Sequence, residues 1–263
     1  MSTMRIATWN VNSIRTRLAH VQEWLSKHPV DVLCLQETKV VDDQFPHECF
    51  PGYTCTIAGQ KSYNGVAILT KTPPQLTSIG FAPILGAEAT GDLDAQKRLL
   101  YIQVQGLHIV NVYVPNGQSV GTEKYAYKLR WLRALHQYLG HLTKASLPIC
   151  VCGDWNIAPT DLDIYDPQGK SEHIMASPPE RQAFADVLSL NFCDSFRLFS
   201  QTGGQFTWWD YRAGSFRRNQ GWRIDHILVS FQLQTEAKNC WIDREPRTWP
   251  QPSDHAPVVL ELG

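Results

Sequence analysis

The chain has 263 residues, 43% of them hydrophobic and 19% charged, with a formal net charge of −1. That balance supplies apolar material for a sizeable core and excludes a disordered chain. Near-neutrality excludes a uniformly basic protein that coats nucleic acid, while leaving room for a local basic patch.

In chain order, residues 1–5 lead into the first apolar run with no hydrophobic signal segment. Residues 5–9 read as a strand ending in Asn10-Val11-Asn12, and Leu18, Val21 and Leu25 form a short helical stripe. A second strand at 30–35 ends in Gln36-Glu37. Further strands are predicted at 66–69, 99–104 and 107–114, the last ending in Pro115-Asn116-Gly117. Residues 123–142 carry the clearest helix: Tyr125, Leu129, Leu132, Leu135, Leu139 and Leu142 share one face, with Lys124, Lys128, Arg130 and Arg133 outside it. A strand at 148–152 ends in Gly153-Asp154-Trp155-Asn156, and Phe184, Val187 and Leu188 mark another helix. Strands at 224–229 and 257–262 complete the set. Many strands with few helices predict a mixed α/β sandwich, sheets inside and helices outside. Segments 153–178 and 202–222 lack periodicity and are long for loops, which makes them candidates for function.

The seven cysteines are odd in number and form no CxxC pair, so neither a zinc knuckle nor a redox motif is suggested. Buried, reduced thiols are expected. No apolar stretch reaches the roughly 18 residues of a membrane span, so a soluble, intracellular protein is expected.

Four strand ends carry carboxylates or carboxamides, which places polar groups from separate strands at one rim. Glu37, Asp154 and Asp254, with Asn10, Asn12 and Asn156, offer oxygen ligands, a set suited to Mg²⁺ or Mn²⁺ rather than zinc. Asp154 and Asn156 are two apart, so an extended backbone would aim both the same way. For any one asparagine a turn or cap serves equally well. For Glu37, after four apolar residues, ligation or an internal salt bridge is expected, because an unpaired buried carboxylate is costly. Asp225 precedes a strand and His255 follows Asp254; an aspartate bonded to His255 would fix its tautomer and favour its charged form. His226 reads as structural. Arg212, Arg217, Arg218 and Arg223 interleave with Phe206, Trp208, Trp209, Tyr211, Phe216 and Trp222, a composition suited to phosphates and to stacking on a nucleotide.

Six motifs in order, Trp9-Asn10-Val11-Asn12-Ser13-Ile14-Arg15, Leu35-Gln36-Glu37-Thr38-Lys39, Tyr113-Val114-Pro115-Asn116-Gly117, Gly153-Asp154-Trp155-Asn156, Trp222-Arg223-Ile224-Asp225 and Ser253-Asp254-His255-Ala256-Pro257, resemble those of the exonuclease III family of abasic-site endonucleases. The resemblance implies a four-layer, deoxyribonuclease I-like α/β sandwich in a single domain over 1–263, acting with Mg²⁺ or Mn²⁺ on double-stranded DNA with an abasic site or a recessed or blocked 3′ end. It implies that Glu37 is the main metal ligand, with Asn10, Asn12 and Asp254 in support. Asp154 then activates water or protonates the leaving oxygen, Asn156 holds Asp154 and the phosphate, Asp225 orients His255, and Tyr113 and Asn116 belong to the centre. DNA contacts are implied for Arg15, Tyr63, Asn116, His173, Met175, Trp208, Arg212, Trp222 and Ile224. A cytoplasmic monomer, nucleoid-associated in a bacterium, is expected.

One loop, 166–175, departs from the family pattern: His173 stands where the family has Asn, and Met175 where it has a small residue. This loop borders the pocket for a flipped abasic sugar, so strong 3′-end processing relative to abasic incision is expected. Methionine is flexible, and folding aside is the alternative. Two rivals stand beside this reading: a same-fold phosphatase acting on inositol phosphates or lipids, and a catalytically silent DNA-binding module.

Overall fold

The computed structural model describes residues 3–170 and 172–263. Met1, Ser2 and Ser171, the last inside the loop singled out above, lie outside the described residues. The strands run β1 (Met4–Asn10), β2 (Val32–Gln36), β3 (Thr54–Ala58), β4 (Val66–Thr70), β5 (Leu76–Ile79) and β6 (Leu99–Val104). They continue as β7 (Leu107–Tyr113), β8 (Ile149–Asp154), β9 (Phe192–Asp194), β10 (Asp225–Ser230), β11 (Ala237–Ile242) and β12 (Val258–Leu262). Two six-stranded sheets result, in the orders β11-β12-β1-β2-β4-β3 and β5-β6-β7-β8-β10-β9. Both are mixed: β1 pairs parallel with β2 and antiparallel with β12, and β7 pairs parallel with β8.

The central strands are continuously apolar because both of their faces are covered. Alternate residues divide between two cores. From β8, Cys150 and Cys152 enter the layer between the sheets, while Ile149 and Val151 face the helices Glu123–Thr143 and Pro178–Leu188. From β1, Ile6 points into the inter-sheet layer, and Ala7 and Trp9 pack with Val21, Trp24 and Leu25 of the helix Ile14–Lys27. The layers are helix, sheet, sheet, helix: the expected four-layer sandwich. The cysteines are free thiols; Cys34, Cys150, Cys152 and Cys240 are buried as expected, while Cys49, Cys55 and Cys193 are only partly so, and no described helix is long and apolar enough to cross a membrane.

The four strands not anticipated, β3, β5, β9 and β11, are the four sheet edges. An edge strand buries less and carries a weaker apolar signal; β5 is largely exposed and β9 has three residues.

Polar groups cross between the sheets just below their functional end. Gln36 Nε2 on β2 donates to Asn111 Oδ1 on β7 at 2.7 Å and to Thr8 Oγ1 at 2.9 Å. Asn111 Nδ2 donates back to the carbonyls of Leu35 and Ala67 at 3.0 and 2.9 Å. Above them β7 and β8 approach closely at Gly153, where φ is +148° and a Cβ would stand 1.9 Å from the Val112 carbonyl oxygen. Only glycine permits that approach, and it delivers the next residue, Asp154, to the rim.

Two basic residues lie elsewhere than expected. Lys128, read as outside the helix's apolar face, is fully buried. Arg223, read as part of a phosphate-facing surface, is 1% exposed. Its Nε contacts Asp163 Oδ1 and its Nη2 contacts Asp194 Oδ2, both at 2.7 Å. Its Nη1 donates to His226 Nδ1 at 2.9 Å, and His226 Nε2 donates to the Ile157 carbonyl at 2.8 Å, so His226 is structural as expected. Burial would raise the pKa of both aspartates, but the guanidinium outweighs it and holds both below the usual carboxylate range. Such groups contribute stability above their free value near 3.8, lost as pH falls through their lower folded values. Arg223→Met is therefore expected to destabilise the fold by roughly 3–5 kcal/mol near neutrality, since it leaves buried Asp194 without its guanidinium and Asp163 with Arg197 alone. Urea unfolding should show the gap from wild type narrowing as the pH is lowered through 4; a pH-independent gap would contradict this ion-pair assignment.

Candidate active site

The ends of β1, β2, β7, β8 and β10, with the segment before β12, converge on a cavity of about 310 Å³. Glu37, Tyr113, Asn116, Asp154, Asn156, Asp254 and His255 line it, and Met175, Trp208 and Ile224 form its apolar wall. Several chain reversals here use positive φ: Asn12 at 45°, Glu37 at 52°, Lys39 at 56°, Asn156 at 49° and Met175 at 71°. Non-glycine residues occupy this region at a cost of about 1–2 kcal/mol each. The turn at Asn156 corrects one expectation: it meets Asp154 because the chain folds back after β8, not because an extended strand aims both side chains alike.

Two acids stand on opposite sides. Glu37 Oε1 accepts from Asn10 Nδ2 and from the Tyr113 hydroxyl, both at 2.9 Å, and Oε2 contacts Lys39 Nζ at 2.9 Å. Asp154 Oδ2 accepts from Asn10 Nδ2 at 2.9 Å and Asn156 Nδ2 at 3.1 Å, and its Oδ1 accepts the Asn156 backbone N–H at 2.9 Å. Asn10 and Asn156 thus meet the acids with amide nitrogens, which donate. Their oxygens accept from the Asn12 N–H and from Asn116 Nδ2, both at 3.0 Å. In this arrangement both asparagines act as hydrogen-bond donors to the acids.

His255 Nδ1 lies 3.1 and 2.9 Å from the two oxygens of Asp225, leaving Nε2 3.9 Å from Asp154 Oδ2. Asp225 is held in turn by Thr207, whose hydroxyl accepts the N–H groups of Ile224 and Asp225 at 3.0 and 3.1 Å. Burial alone would lower the His255 pKa, but Asp225, then Asp154 and Asp254, raise it to about 10. Asp154 is raised to about 7 by burial, with Asp225 and Glu37 adding to the effect and His255 and Asn10 opposing it. Glu37 is lowered: burial opposes this, but the Lys39 ammonium and Asn10 prevail. Asp254 is lowered too, with burial outweighed by His255, Trp208 and Asn12. Burial, reinforced by Glu37, keeps the Tyr113 phenol protonated.

Oxygen donors on the Glu37 side already hold a cation. Asn12 donates through Nδ2 to Asp254 Oδ1 at 3.1 Å, and its Oδ1 accepts from Lys39 Nζ at 2.6 Å. The Lys39 ammonium therefore stands between Glu37 and Asn12, a position already shaped for positive charge. Asp154, Asp225 and His255 also bring potential ligand atoms within 4.8 Å of one another. With His255 held as the imidazolium, however, that trio favours proton handling.

Of the other predicted residues, Trp208 donates from Nε1 to Asp254 Oδ2 at 2.9 Å and pairs by an isolated bridge with Trp222. His173, exposed, lies 5.5 Å from the Trp222 ring. Arg15, Tyr63 and Arg212 are exposed and do not line the cavity. Lys39, Thr207 and Lys128 went unassigned in the sequence. Lys39 sits inside a quoted motif, but no spacing rule marks it.

Residues 7–255 match the Endonuclease/Exonuclease/phosphatase family. The chain belongs to that family, in its exonuclease III branch. Among its relatives, exodeoxyribonuclease III of Haemophilus influenzae is 36% identical, over 98% of this chain and all of that protein. The solved structure of the 3′ phosphatase NExo from Neisseria bound to a product DNA hairpin superposes with a TM-score of 0.93, at 40% identity over 99% of both chains. An AP endonuclease from Archaeoglobus fulgidus superposes with a TM-score of 0.92, at 36% identity over 98% of each. In this exonuclease III-type protein the Asp225–His255 pair can be tested directly. Its contribution to stability is complete below the free histidine value of 6.5 and fades as pH rises through about 10. Asp225→Asn is expected to lower the His255 titration midpoint by more than about one unit, read by NMR on metal-free protein; an unmoved midpoint would remove Asp225 from that role.

Proposed function

We propose that this protein is a metal-dependent DNA-repair hydrolase of exonuclease III type that processes recessed and blocked 3′ ends of double-stranded DNA, with abasic incision as the weaker activity. The observation that carries this reading is the single cavity in which an oxygen set suited to a hard cation faces an aspartate-oriented imidazolium across Asp154. The relatives named above include a 3′ phosphatase and an AP endonuclease. Mg²⁺ or Mn²⁺ would be held by Glu37, Asn12, Asp254 and Asp154, an assignment that rests on their donor chemistry. When bound, the cation stabilises negative charge on the phosphoryl oxygens.

The chain's own groups do the rest. His255, charged and fixed by Asp225, offers its Nε2 proton to a phosphoryl oxygen. Asp154 is the acid–base group for the water or the departing 3′ oxygen; its raised pKa suits proton transfer near neutrality. Asn10 and Asn156 hold that carboxylate through their amides. The Tyr113 hydroxyl, protonated, steadies Glu37. Arg15, Tyr63, Asn116, Arg212, His173 and Trp222 are assigned to DNA around the rim. Tyr63 lies in the loop whose Asn64 and Gly65 carbonyls accept the N–H groups of Lys39 and Thr38, and Arg212 follows Tyr211, whose hydroxyl donates to the Pro252 carbonyl at 2.9 Å. This reading takes the chain as a single catalytic domain working as a monomer in the cytoplasm, close to the nucleoid in a bacterium.

Met175 sets the balance between substrates. Its N–H donates to Glu180 Oε1 at 3.0 Å and its carbonyl accepts the Ala158 N–H at 2.7 Å, so its backbone is pinned at φ 71°. That conformation favours glycine, and the methionine side chain, 6% exposed, stands against Trp208 and Ile224 where a flipped sugar would enter. Met175→Gly is expected to raise incision of a tetrahydrofuran-containing duplex roughly tenfold or more relative to digestion of a recessed 3′ end. A gel assay of both substrates gives the ratio, and an unchanged ratio removes Met175 from specificity. Asp154→Asn is expected to cut cleavage by about 10²–10⁴-fold with DNA binding nearly intact, and EDTA to abolish wild-type cleavage. Phosphate release from inositol phosphates in preference to DNA would instead favour the phosphatase reading, and a wild type inert with Mg²⁺ the silent one.

A further inference from the structure

Behind the cavity lies an ion pair that the chemistry above does not use. Lys128, on the helix Glu123–Thr143, and Glu180, on the helix Pro178–Leu188, are both fully buried, with Lys128 Nζ in direct contact with Glu180 Oε1. Such a pair adds little net stability, because desolvation offsets the attraction. What the two groups hold is more informative. An ammonium has three donors, and Lys128 uses them on Glu180, on the Asn116 carbonyl at 3.2 Å and on the Asn156 carbonyl at 2.7 Å. Neither asparagine lies in a strand, and among the described residues Lys128 is the one donor to either carbonyl. Its stem also seats the neighbouring loop, since a Cβ on Gly117 would come within 3.0 Å of Lys128 Cδ. Glu180 in turn accepts the N–H groups of Met175 and Ser177, at 3.0 and 3.1 Å.

We propose that Lys128, seated on Glu180, is a positioning residue for phosphodiester hydrolysis: it sets the height of Asn116 and Asn156 and registers them against the Met175 wall. The two amides are bonded to each other, Asn116 Nδ2 to Asn156 Oδ1 at 3.0 Å, and Asn156 Nδ2 reaches Asp154. A shift of the Asn156 backbone therefore moves the acid–base carboxylate itself. Lys128 touches neither phosphate nor water; it acts through these two residues. The proposal rests on the hydrolase reading above, and its test separates the two.

The double variant Lys128→Met with Glu180→Gln removes both charges, while the new amide keeps a side-chain oxygen for one of the two N–H groups, Met175 or Ser177, that the carboxylate accepts. Val187→Ala, which opens a cavity in the helix-covered core on the same helix as Glu180 but touches neither charge, serves as a variant destabilised for an unrelated reason. On a recessed 3′ end with Mg²⁺, the double variant is expected to lose about 10- to 100-fold in kcat, with KM within roughly threefold of wild type, the signature of lost transition-state positioning. Val187→Ala should keep wild-type kcat. In DNA-free protein, the side-chain amide NMR signals of Asn116 and Asn156 should shift in the double variant and not in Val187→Ala, a readout that stands even if the wild type fails to cut DNA. A folded double variant with wild-type kcat, or with unmoved amide signals, overturns the proposal. So does failure of both Lys128→Met and the double variant to fold, which would make the pair purely structural.

Discussion

One amide group joins the two halves of this molecule at the place where they must agree. Asn10 Nδ2 gives one proton to Glu37, which follows β2 in the first sheet, and one to Asp154, at the end of β8 in the second. The two acids can share a cavity only if the sheets keep one register and one separation. Below, Gln36 and Asn111 fasten the same two sheets with buried hydrogen bonds. A slip would leave these groups unsatisfied, at about 1–3 kcal/mol apiece. Apolar packing alone, being non-directional, would not enforce such a register.

With the sheets fixed, strain can be localised. The left-handed residues Glu37, Asn156 and Met175 line the cavity, and two more, Lys39 and Asn12, stand behind Glu37 through the Lys39 ammonium. They bend the chain off the strand ends and aim side chains inward, against a frame stiff enough to hold them. The electrostatics follow from the same crowding. Carboxylates packed this closely either gain a proton, as Asp154 tends to, or keep a cation beside them, as Asp225 does with His255 and Glu37 with Lys39.

The central strands and the residues past their ends were legible in the sequence because burial on both faces writes long apolar runs, and the polar residues closing them stand out. The edge strands were not, because half of each faces water. Charge was the least legible property. Lys128 and Arg223 look like surface residues in any periodicity count, and only the fold reveals that Glu180, Asp163 and Asp194 are buried with them. The amides were legible only by residue type: sequence shows that Asn10 and Asn156 carry both an oxygen and a nitrogen but not that the nitrogens face the acids. Thr207, which orients Asp225 through two backbone N–H groups, left no sequence signal at all.

The position of β12 has a consequence for biosynthesis. It lies between β1 and β11, so the first strand of the sheet to be made waits for the last before its second edge is paired. Asp254 and His255 arrive with that same final stretch. A ribosome-bound chain therefore carries Glu37 and Asp154 long before it can assemble them into a working centre, and closure depends on slow, long-range pairing.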